Sequence, residues 1–245
     1  MRTHTPPVLL ADSLCFTYPG GRGGIRSASL ALTASVTAAV RGPSGSGKST
    51  LLALLGLILT PASGVLTIAG THTAELTQRE RDRLRLRSIG VVLQDLGLLP
   101  YLNAWENVAA AFGPHLGAHR KEARAMVESL GMGELADAPV TTLSGGERRR
   151  IAVARAAVKQ PAVILADEPT AGLDPAAALL VLDALRAQAA RGSAVLLVTH
   201  DPGVAECCTE QYVVERGALT LQTTESQGIA PGPRPARMIS EEAQQ

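Results

Sequence analysis

The chain has 245 residues, and 46% of them are hydrophobic, which is enough for one large domain or two small ones with a sizeable buried core. Lys and Arg number 23 against 22 Asp and Glu, so the sequence lacks the excess positive charge of a nucleic-acid-binding surface. Aromatic residues make up only 2%, which argues against base-stacking platforms. We therefore expect no nucleic acid among its partners.

The sequence contains no segment that predicts export or membrane insertion. Residues 1–13 lack the apolar core of a signal peptide. The longest apolar run, residues 51–59, is too short for a membrane helix, which needs about 20 residues. The three cysteines, Cys15, Cys207 and Cys208, have no metal-ligand spacing and predict reduced thiols. We expect a soluble, cytosolic chain that reaches a membrane only through a partner.

The predicted elements alternate between strands and helices. The first 40 residues contain short segments separated by turn residues and predict a small antiparallel patch. Beyond them, apolar runs rich in Val, Ile and Leu predict buried parallel strands at 36–40, 88–94, 162–167 and 193–199. Helical patterns lie at 48–59, 119–131, 146–159 and 175–190. This alternation predicts an α/β fold with a mainly parallel sheet covered by helices.

Two segments depart from this alternation. Residues 98–146 carry little strand signal and predict an inserted helical subdomain. From residue 224 the composition turns to Pro, Gly, Gln, Ser and Glu, which is typical of a flexible tail. We predict one domain over residues 1–223 and a flexible C-terminal tail over 224–245.

Residues 42–50, GPSGSGKST, fit the phosphate-loop pattern G-x-x-x-x-G-K-[ST] between a predicted strand and a predicted helix. Glycines permit the turns that point backbone N–H groups at phosphates, and the helix dipole favours the negative charge. Lys48 would reach the β- and γ-phosphates, and the Ser49 hydroxyl would ligate Mg²⁺. The predicted nucleotide contacts are Gly42, Pro43, Ser44, Gly45, Ser46, Gly47, Lys48, Ser49 and Thr50.

Polar residues follow three of the predicted strands: Asp167 and Glu168, His200, and Gln94. The carboxyl ends of parallel strands share one edge of the sheet, where ligands bind. We predict that Asp167 and Gln94 contact Mg²⁺, and that Glu168 activates the attacking water as a general base. His200 and Gln94 would contact the γ-phosphate or that water. The alternatives are a solvated strand end for the two acids and a structural role for the histidine.

A second serine- and glycine-rich turn, LSGGERRR, occupies residues 143–150. In isolation it predicts an ordinary helix start, with Ser144 as N-cap and Glu147 in the first turn. Arg148 and Arg149 are expected at solvated helix positions, and electrostatic support for a nearby phosphate is the alternative.

In this order and spacing, the motifs resemble those of the nucleotide-binding subunits of ATP-binding-cassette (ABC) transporters. The resemblance runs over most of residues 8–220. GPSGSGKST resembles Walker A and VILADE Walker B; Gln94 resembles the Q-loop glutamine, AGLD at 171–174 the D-loop, and His200 the switch histidine. Tyr18 resembles the aromatic residue that stacks on adenine, and LSGGE the family signature. The resemblance implies a P-loop NTPase core, a small antiparallel β subdomain and an inserted helical subdomain.

The resemblance also implies how the second turn is used. In this family two subunits pair head to tail, so Ser144, Gly145 and Gly146 would contact the γ-phosphate of ATP held by the partner subunit. The implied cofactors are ATP and Mg²⁺, and the implied partners are a second ATPase subunit and an integral membrane permease. The chain would then lie in the cytoplasm, peripheral on the inner face of the cell membrane through the permease.

Residues 86–108, LRSIGVVLQDLGLLPYLNAWENV, are similar to ATPases of the lipoprotein-release, macrolide-export and cell-division group, although importers of amino acids share much of this segment. The group implies export or extraction of an envelope, lipid-linked or peptide substrate. Departures are Ser35 where the group has glycine, VVLQ for FVFQ, and arginines for two glutamines at 148 and 149. None removes a catalytic group, so we expect ATP hydrolysis. The alternative is a soluble ABC ATPase of DNA repair or translation, but the long coiled coils, zinc motifs or second cassette of such proteins are absent from the sequence.

Overall fold

The computed structural model describes residues 6–21 and 23–222, which form one ten-stranded mixed sheet with helices packed on it. The strands are β1 (Leu9–Thr17), β2 (Gly24–Leu32), β3 (Thr37–Arg41), β4 (Ser63–Ile68), β5 (Thr71–His72), β6 (Ile89–Val92), β7 (Val163–Asp167), β8 (Ala194–Val198), β9 (Glu210–Glu215) and β10 (Ala218–Gln222). The helices are α1 (Lys48–Leu55), α2 (Gln78–Ser88), α3 (Ala104–Ala109), α4 (Arg120–Ser129), α5 (Gly145–Ala157), α6 (Pro175–Ala190) and α7 (Pro202–Glu206).

The four strands predicted from apolar runs lie side by side in the order β3-β8-β7-β6, and all of them are parallel. Every residue of β7 and β8 is buried, which explains why their sequences are continuously apolar. Successive residues of β7 enter two different apolar clusters, one with α3, α4 and α5 and the other with α1, β1 and β2. The central sheet therefore separates two cores.

The antiparallel part lies at the other end of the sheet, in the order β5-β4-β1-β2. The antiparallel pairing of β1 with β2 confirms the prediction for the first 40 residues. Strand β10 joins the two parts, since it pairs with β9 and also with β2. The predicted fold class is thus confirmed: α/β, with a mainly parallel sheet, an antiparallel β part and helices.

The predicted helices correspond to α1, α4, α5 and α6, but α1 ends at Leu55 rather than at residue 59. Helix α2 was not predicted, because its sequence QRERDRLRLRS has no broad apolar stripe. It begins instead with a capping box between Thr77 and Glu80, which is a local start signal.

Residues 98–146 contain α3, α4 and short 3₁₀ turns. The fully buried Asn107 side chain bonds to the backbone of Leu99, Leu102 and Asn103, so it fixes the loop that leads into α3. None of the helices in residues 6–21 and 23–222 has the length and apolar character needed to cross a membrane. The predicted flexible tail at 224–245 lies outside the described residues.

Ser35, one of the departures from the resembled group, lies in the turn before β3. Its φ is 68°, in the left-handed region that favours glycine. The Ser35 N–H donates to Ser193 O at 3.1 Å, which ties this turn to the start of β8. The backbone therefore keeps a conformation that suits glycine although a serine stands there.

Candidate functional site

The loop between β3 and α1 is packed so closely that two of its glycines have no room for a side chain. A Cβ on Gly42 would lie 2.2 Å from Val214 O, and one on Gly47 would lie 2.7 Å from Gly24 O. Both residues have positive φ, at 148° and 113°. Gly47 is also the N-cap of α1, and no side chain caps this helix. The first N–H groups of α1 are thus left open to an anion.

Two polar side chains of this loop lack an external partner in the described structure. Lys48 Nζ donates to the loop's own carbonyls, Gly42 O at 2.8 Å and Pro43 O at 2.9 Å. Ser46 Oγ is buried and has no hydrogen-bond partner among the described residues. A helix start without a side-chain cap, an ammonium beside it and an orphaned hydroxyl together fit a bound phosphate chain.

The hydroxyl at the start of α1 meets the acid at the end of β7. Ser49 Oγ donates to Asp167 Oδ2 at 3.0 Å, and only 8% of Asp167 is exposed. Hydroxyl and carboxylate oxygens are ligands that Mg²⁺ accepts, together with phosphate oxygens and water. The pair therefore fits a nucleotide-bound metal, although the metal itself stays a prediction.

Glu168 stands at the next position, in an uncommon backbone conformation. Its φ of 49° lies in the left-handed region, which costs a residue with a side chain roughly 1–2 kcal/mol. Its N–H donates to Val198 O at 2.9 Å. Glu168 Oε1 accepts from the His200 N–H at 3.1 Å, and His200 Nδ1 lies 2.5 Å from the same oxygen. The ends of β7 and β8 therefore bring the predicted base and the predicted histidine into contact.

These residues line one cleft of about 600 Å³. Gln94, which follows β6, and Tyr18, which follows β1, lie at its wall. Tyr18 is 41% exposed, packs edge-on against Phe16 with ring centroids 4.9 Å apart, and its hydroxyl accepts from Thr50 Oγ1 at 3.4 Å. The lining consists of Tyr18, Gly23, Gly24, Gly42, Pro43, Ser44, Gly45, Gly47, Lys48, Ser49, Thr50, Gln94, Asp167, Glu168 and His200.

Gly23 and Gly24 line the cleft but were not predicted from the sequence. The signal that could have found them is the glycine run PGGRGG at 19–24, directly after Tyr18. Gly24 is also the backbone against which Gly47 packs, so the run brings β2 close to the phosphate loop.

Ser144, Gly145 and Gly146 do not line this cleft, so the chain does not bring its two serine-glycine turns together. Ser144 and Gly145 are exposed. Ser144 caps α5 as predicted: its side chain accepts from the Glu147 N–H at 3.2 Å, and Glu147 Oε2 accepts from the Ser144 N–H at 2.7 Å. The hydrogen bond from the Ser144 backbone N–H, followed by the Ser144 side chain, lowers the pKa of the Glu147 carboxyl.

The arginines after this turn are half-buried, and the expectation that Arg148 and Arg149 stand at solvated positions is wrong. Each donates to a backbone carbonyl: Arg148 to Leu143 O at 2.8 Å, Arg149 to Glu168 O at 2.7 Å and Arg150 to Leu130 O at 3.1 Å. Leu143 directly precedes the N-cap of α5, whereas the packing of α5 against its neighbours supplies the acceptors of Arg149 and Arg150.

The sequence and fold are both similar to those of one class of known proteins. The sequence model of the ABC transporter family matches residues 25–171. The folded chain resembles the dimeric ATP-binding cassette MJ0796 in a post-hydrolysis state bound to ADP and Pi, with a TM-score of 0.82 and 29% identity, over 87% of this chain and 97% of that one. The chain therefore belongs to the ABC transporter family; it binds ATP and is an ATPase.

Two curated relatives indicate which group within the ABC transporter family this chain resembles. The lipoprotein-releasing system ATP-binding protein LolD 1 of Caulobacter vibrioides is 40% identical over 211 residues, which cover 84% of this chain and 90% of the relative. The macrolide export ATP-binding/permease protein MacB of Syntrophobacter fumaroxidans is 38% identical over 201 residues, which cover 80% of this chain and 28% of that longer protein. The resemblance to the lipoprotein-release and macrolide-export group is thus confirmed, and the chain is an ATP-binding subunit of the transporter type.

Proposed function

We propose that this chain hydrolyses ATP in a head-to-tail dimer and thereby drives a separate integral membrane permease. The observation that carries the proposal is the single cleft that joins the phosphate loop to Ser49, Asp167, Glu168 and His200, while the turn at Ser144 lies outside it. A cleft that lacks the turn at Ser144, together with an exposed and separate helix start, is what a shared site between two subunits requires. The dimeric cassette relative supports this arrangement.

Each residue has a role that its position supports. Lys48 and the N–H groups at the start of α1 bind the β- and γ-phosphates, and Tyr18 stacks on the adenine. Ser49 and Asp167 hold Mg²⁺, with Gln94 as the ligand that responds to the γ-phosphate. Glu168 is the general base for the attacking water, and His200 contacts that water or the γ-phosphate. Ser144, Gly145 and Gly146 complete the site of the partner subunit.

Complementation between two inactive variants tests the shared site. Lys48→Ala damages the phosphate loop and Ser144→Arg blocks the signature turn, so each variant alone should lose ATP hydrolysis. In a heterodimer of the two, both lesions fall in one site and the other site is intact. Because random pairing gives half heterodimers, an equimolar mixture should recover about a quarter of wild-type activity.

The matched control places both lesions in one chain. The double variant mixed with wild-type chain should leave about a quarter of wild-type activity if sites are shared, but about half if each chain works alone. No recovery in the first mixture, together with half activity in the second, would contradict the head-to-tail dimer.

The permease contact is assigned to a groove of about 630 Å³ between α2, β6, α5 and the loop before α3. Leu86, Leu93 and Leu99 contribute apolar surface, and Asp82, Arg85 and Lys159 contribute charge. Of residues 94–106, only Leu99 lines this groove; Trp105 is buried, whereas Tyr101 is 78% exposed. One amphipathic cytoplasmic helix of the permease is the occupant that this mixture of apolar and charged lining fits.

A pair of surface variants tests this contact. Leu86 in the groove and Leu179 on α6 are 51% and 57% exposed, so a glutamate at either position costs little stability. Leu86→Glu should abolish co-purification with an integral membrane protein from solubilised membranes, whereas Leu179→Glu should keep it; ATP hydrolysis by the isolated chain should survive in both. Recovery of wild-type chain with ribosomes or DNA, and with no membrane protein, would instead support a non-transport ABC ATPase.

The relatives LolD and MacB support the substrate class, which is an envelope, lipid-linked or peptide substrate that is extracted or exported. The chain would act in the cytoplasm, on the inner face of the membrane that contains the permease. We further propose that residues 1–223 form one ABC ATPase domain, with the helical subdomain at 98–146.

A further inference from the structure

Arg149 joins helix α5 to the turn that contains the predicted base. Its Nη1 donates to the main-chain oxygen of Glu168 at 2.7 Å, across 19 positions of sequence. Arg149 lies one turn beyond the start of α5, whereas Glu168 directly follows β7. This side chain therefore connects the signature helix to the catalytic edge of the sheet within one subunit.

The bond falls on the backbone of a residue that needs support. With φ at 49°, Glu168 lies in a conformation that persists only where its surroundings hold it. Its carbonyl also accepts from the Ala171 N–H, but at 3.2 Å. The bond from Arg149 is shorter and carries a full charge on the donor, and such bonds are about twice as strong as neutral ones.

The position of the Glu168 carboxylate depends on this backbone conformation. The side chain is 19% exposed, lines the cleft and bonds to the His200 N–H at 3.1 Å. A general base works only within hydrogen-bond reach of its proton, and a displacement of about 1 Å can lower the rate about 100-fold. A change in the turn after β7 would therefore move the carboxylate away from the water.

We propose that Arg149 is a positioning residue for Glu168, because its bond to the Glu168 carbonyl holds the turn in the conformation that directs the carboxylate into the cleft. The inference rests on the proposed role of Glu168 as the base. The neighbouring arginines serve as comparison, since Arg148 and Arg150 donate to Leu143 and Leu130, away from this turn.

The test compares Arg149→Met, which removes the donor, with Arg149→Lys, which keeps a charged one. For Arg149→Met we expect kcat to fall about 10- to 100-fold, while KM for ATP stays within about twofold. Arg149→Lys should recover most of the lost rate. Arg150→Met is the matched control: it removes the same kind of bond one residue further along α5, so it should lower the melting temperature without this selective loss of kcat.

A test in the Glu168→Gln variant separates a positioning role of Arg149 from a general effect on stability. In Glu168→Gln, where the base is already lost, adding Arg149→Met should lower the residual rate less than twofold. An equal fall of kcat in Arg149→Met and Arg150→Met, no recovery by lysine, or a full further loss in the Glu168→Gln background would overturn the inference.

The same variants distinguish failure of the inference from failure of the proposed function. Normal hydrolysis by Glu168→Gln would remove Glu168 as the base, and the proposal for Arg149 with it. Slow hydrolysis by Glu168→Gln with wild-type kcat in Arg149→Met would remove only the role of Arg149.

Discussion

The starts of α1 and α5 are both rich in serine and glycine, yet the fold treats their backbone N–H groups differently. Helix α1 begins at Gly47 with no side-chain cap and no acid in its first turn, inside a cleft built from the ends of several strands. Helix α5 begins at Ser144, closes a capping box with Glu147, and lies exposed outside that cleft. Two similar sequences thus produce one helix start that lines the cleft and one that lies exposed outside it.

The charges around the two helix starts also differ, and they leave more backbone N–H groups free for an anion at α1 than at α5. Around α1, Lys48 adds positive charge to the helix dipole, and the acids Asp167 and Glu168 stand across the cleft, where a metal ion and water would bind. At α5, the Glu147 carboxylate already accepts a hydrogen bond from the Ser144 N–H. In the proposed dimer, a phosphate of the partner subunit would therefore contact the N–H groups that the capping box leaves free.

The largest expected effect concerns Glu168, which lines the cleft at the start of α1. Glu168→Gln removes the proposed base but keeps the shape of the side chain, so hydrolysis should slow by about 10²–10⁴-fold while ATP binding remains. ATP would then accumulate in a closed dimer, which size-exclusion chromatography with and without ATP can detect. Turnover at the wild-type rate would exclude Glu168 as the base.

A smaller effect separates the two helix starts in nucleotide binding. Lys48→Ala should weaken ATP binding to the monomer about 10- to 100-fold, because a hydrogen bond to a charged group contributes about 1.5–3 kcal/mol. Ser144→Ala should leave the affinity of the monomer unchanged, since Ser144 lies outside the cleft. Calorimetric titration at concentrations below dimerisation measures both, and equal losses would contradict the separation of the two starts.

The smallest effect concerns the stability of the second start. Glu147→Ala removes the acceptor for the Ser144 N–H and should lower the free energy of unfolding by about 1 kcal/mol. Glu147→Gln retains an acceptor and should lose less, because glutamine also closes a capping box. Denaturant unfolding of the two variants beside wild type measures the difference.

The same bond makes a small part of the stability depend on pH. Because the hydrogen bonds from Ser144 lower the pKa of Glu147, the carboxylate stabilises the fold above its unfolded pKa of about 4.3. This stabilisation is lost as the pH falls through the lower, folded-state pKa. The gap in unfolding free energy between wild type and Glu147→Gln should therefore shrink at acidic pH, and a constant gap would show that the charge of Glu147 contributes nothing.

Sequence patterns predicted the central fold well because its signals are local. The strands β7 and β8 are fully buried and β3 and β6 mostly so, and all four have apolar sequences. Helix α2 and the strands β4, β5, β9 and β10 were missed, since short, half-exposed strands and an arginine-rich helix lack a continuous apolar pattern.

The candidate site divides in the same way. The phosphate loop and the acids after β7 were predicted as one site, and they lie in one cleft because parallel strands end at the same edge. Gly23, Gly24 and the contact of Arg149 with Glu168 were not predicted, because each depends on which distant backbone lies opposite.

The order of residues by itself determines the features made within a few positions: the turns at Gly42 and Gly47, the capping box of Ser144 and Glu147, and the alternation of buried strands and helices. The capping box joins near neighbours, and the glycine turns and apolar runs are patterns of adjacent residues, so short-range spacing is sufficient to predict them. Only the tertiary structure decides that the two serine-glycine turns lie apart and that Arg149 and Arg150 reach the carbonyls of Glu168 and Leu130. Those contacts follow from how α5 packs on the sheet, which brings together residues that the chain itself keeps far apart.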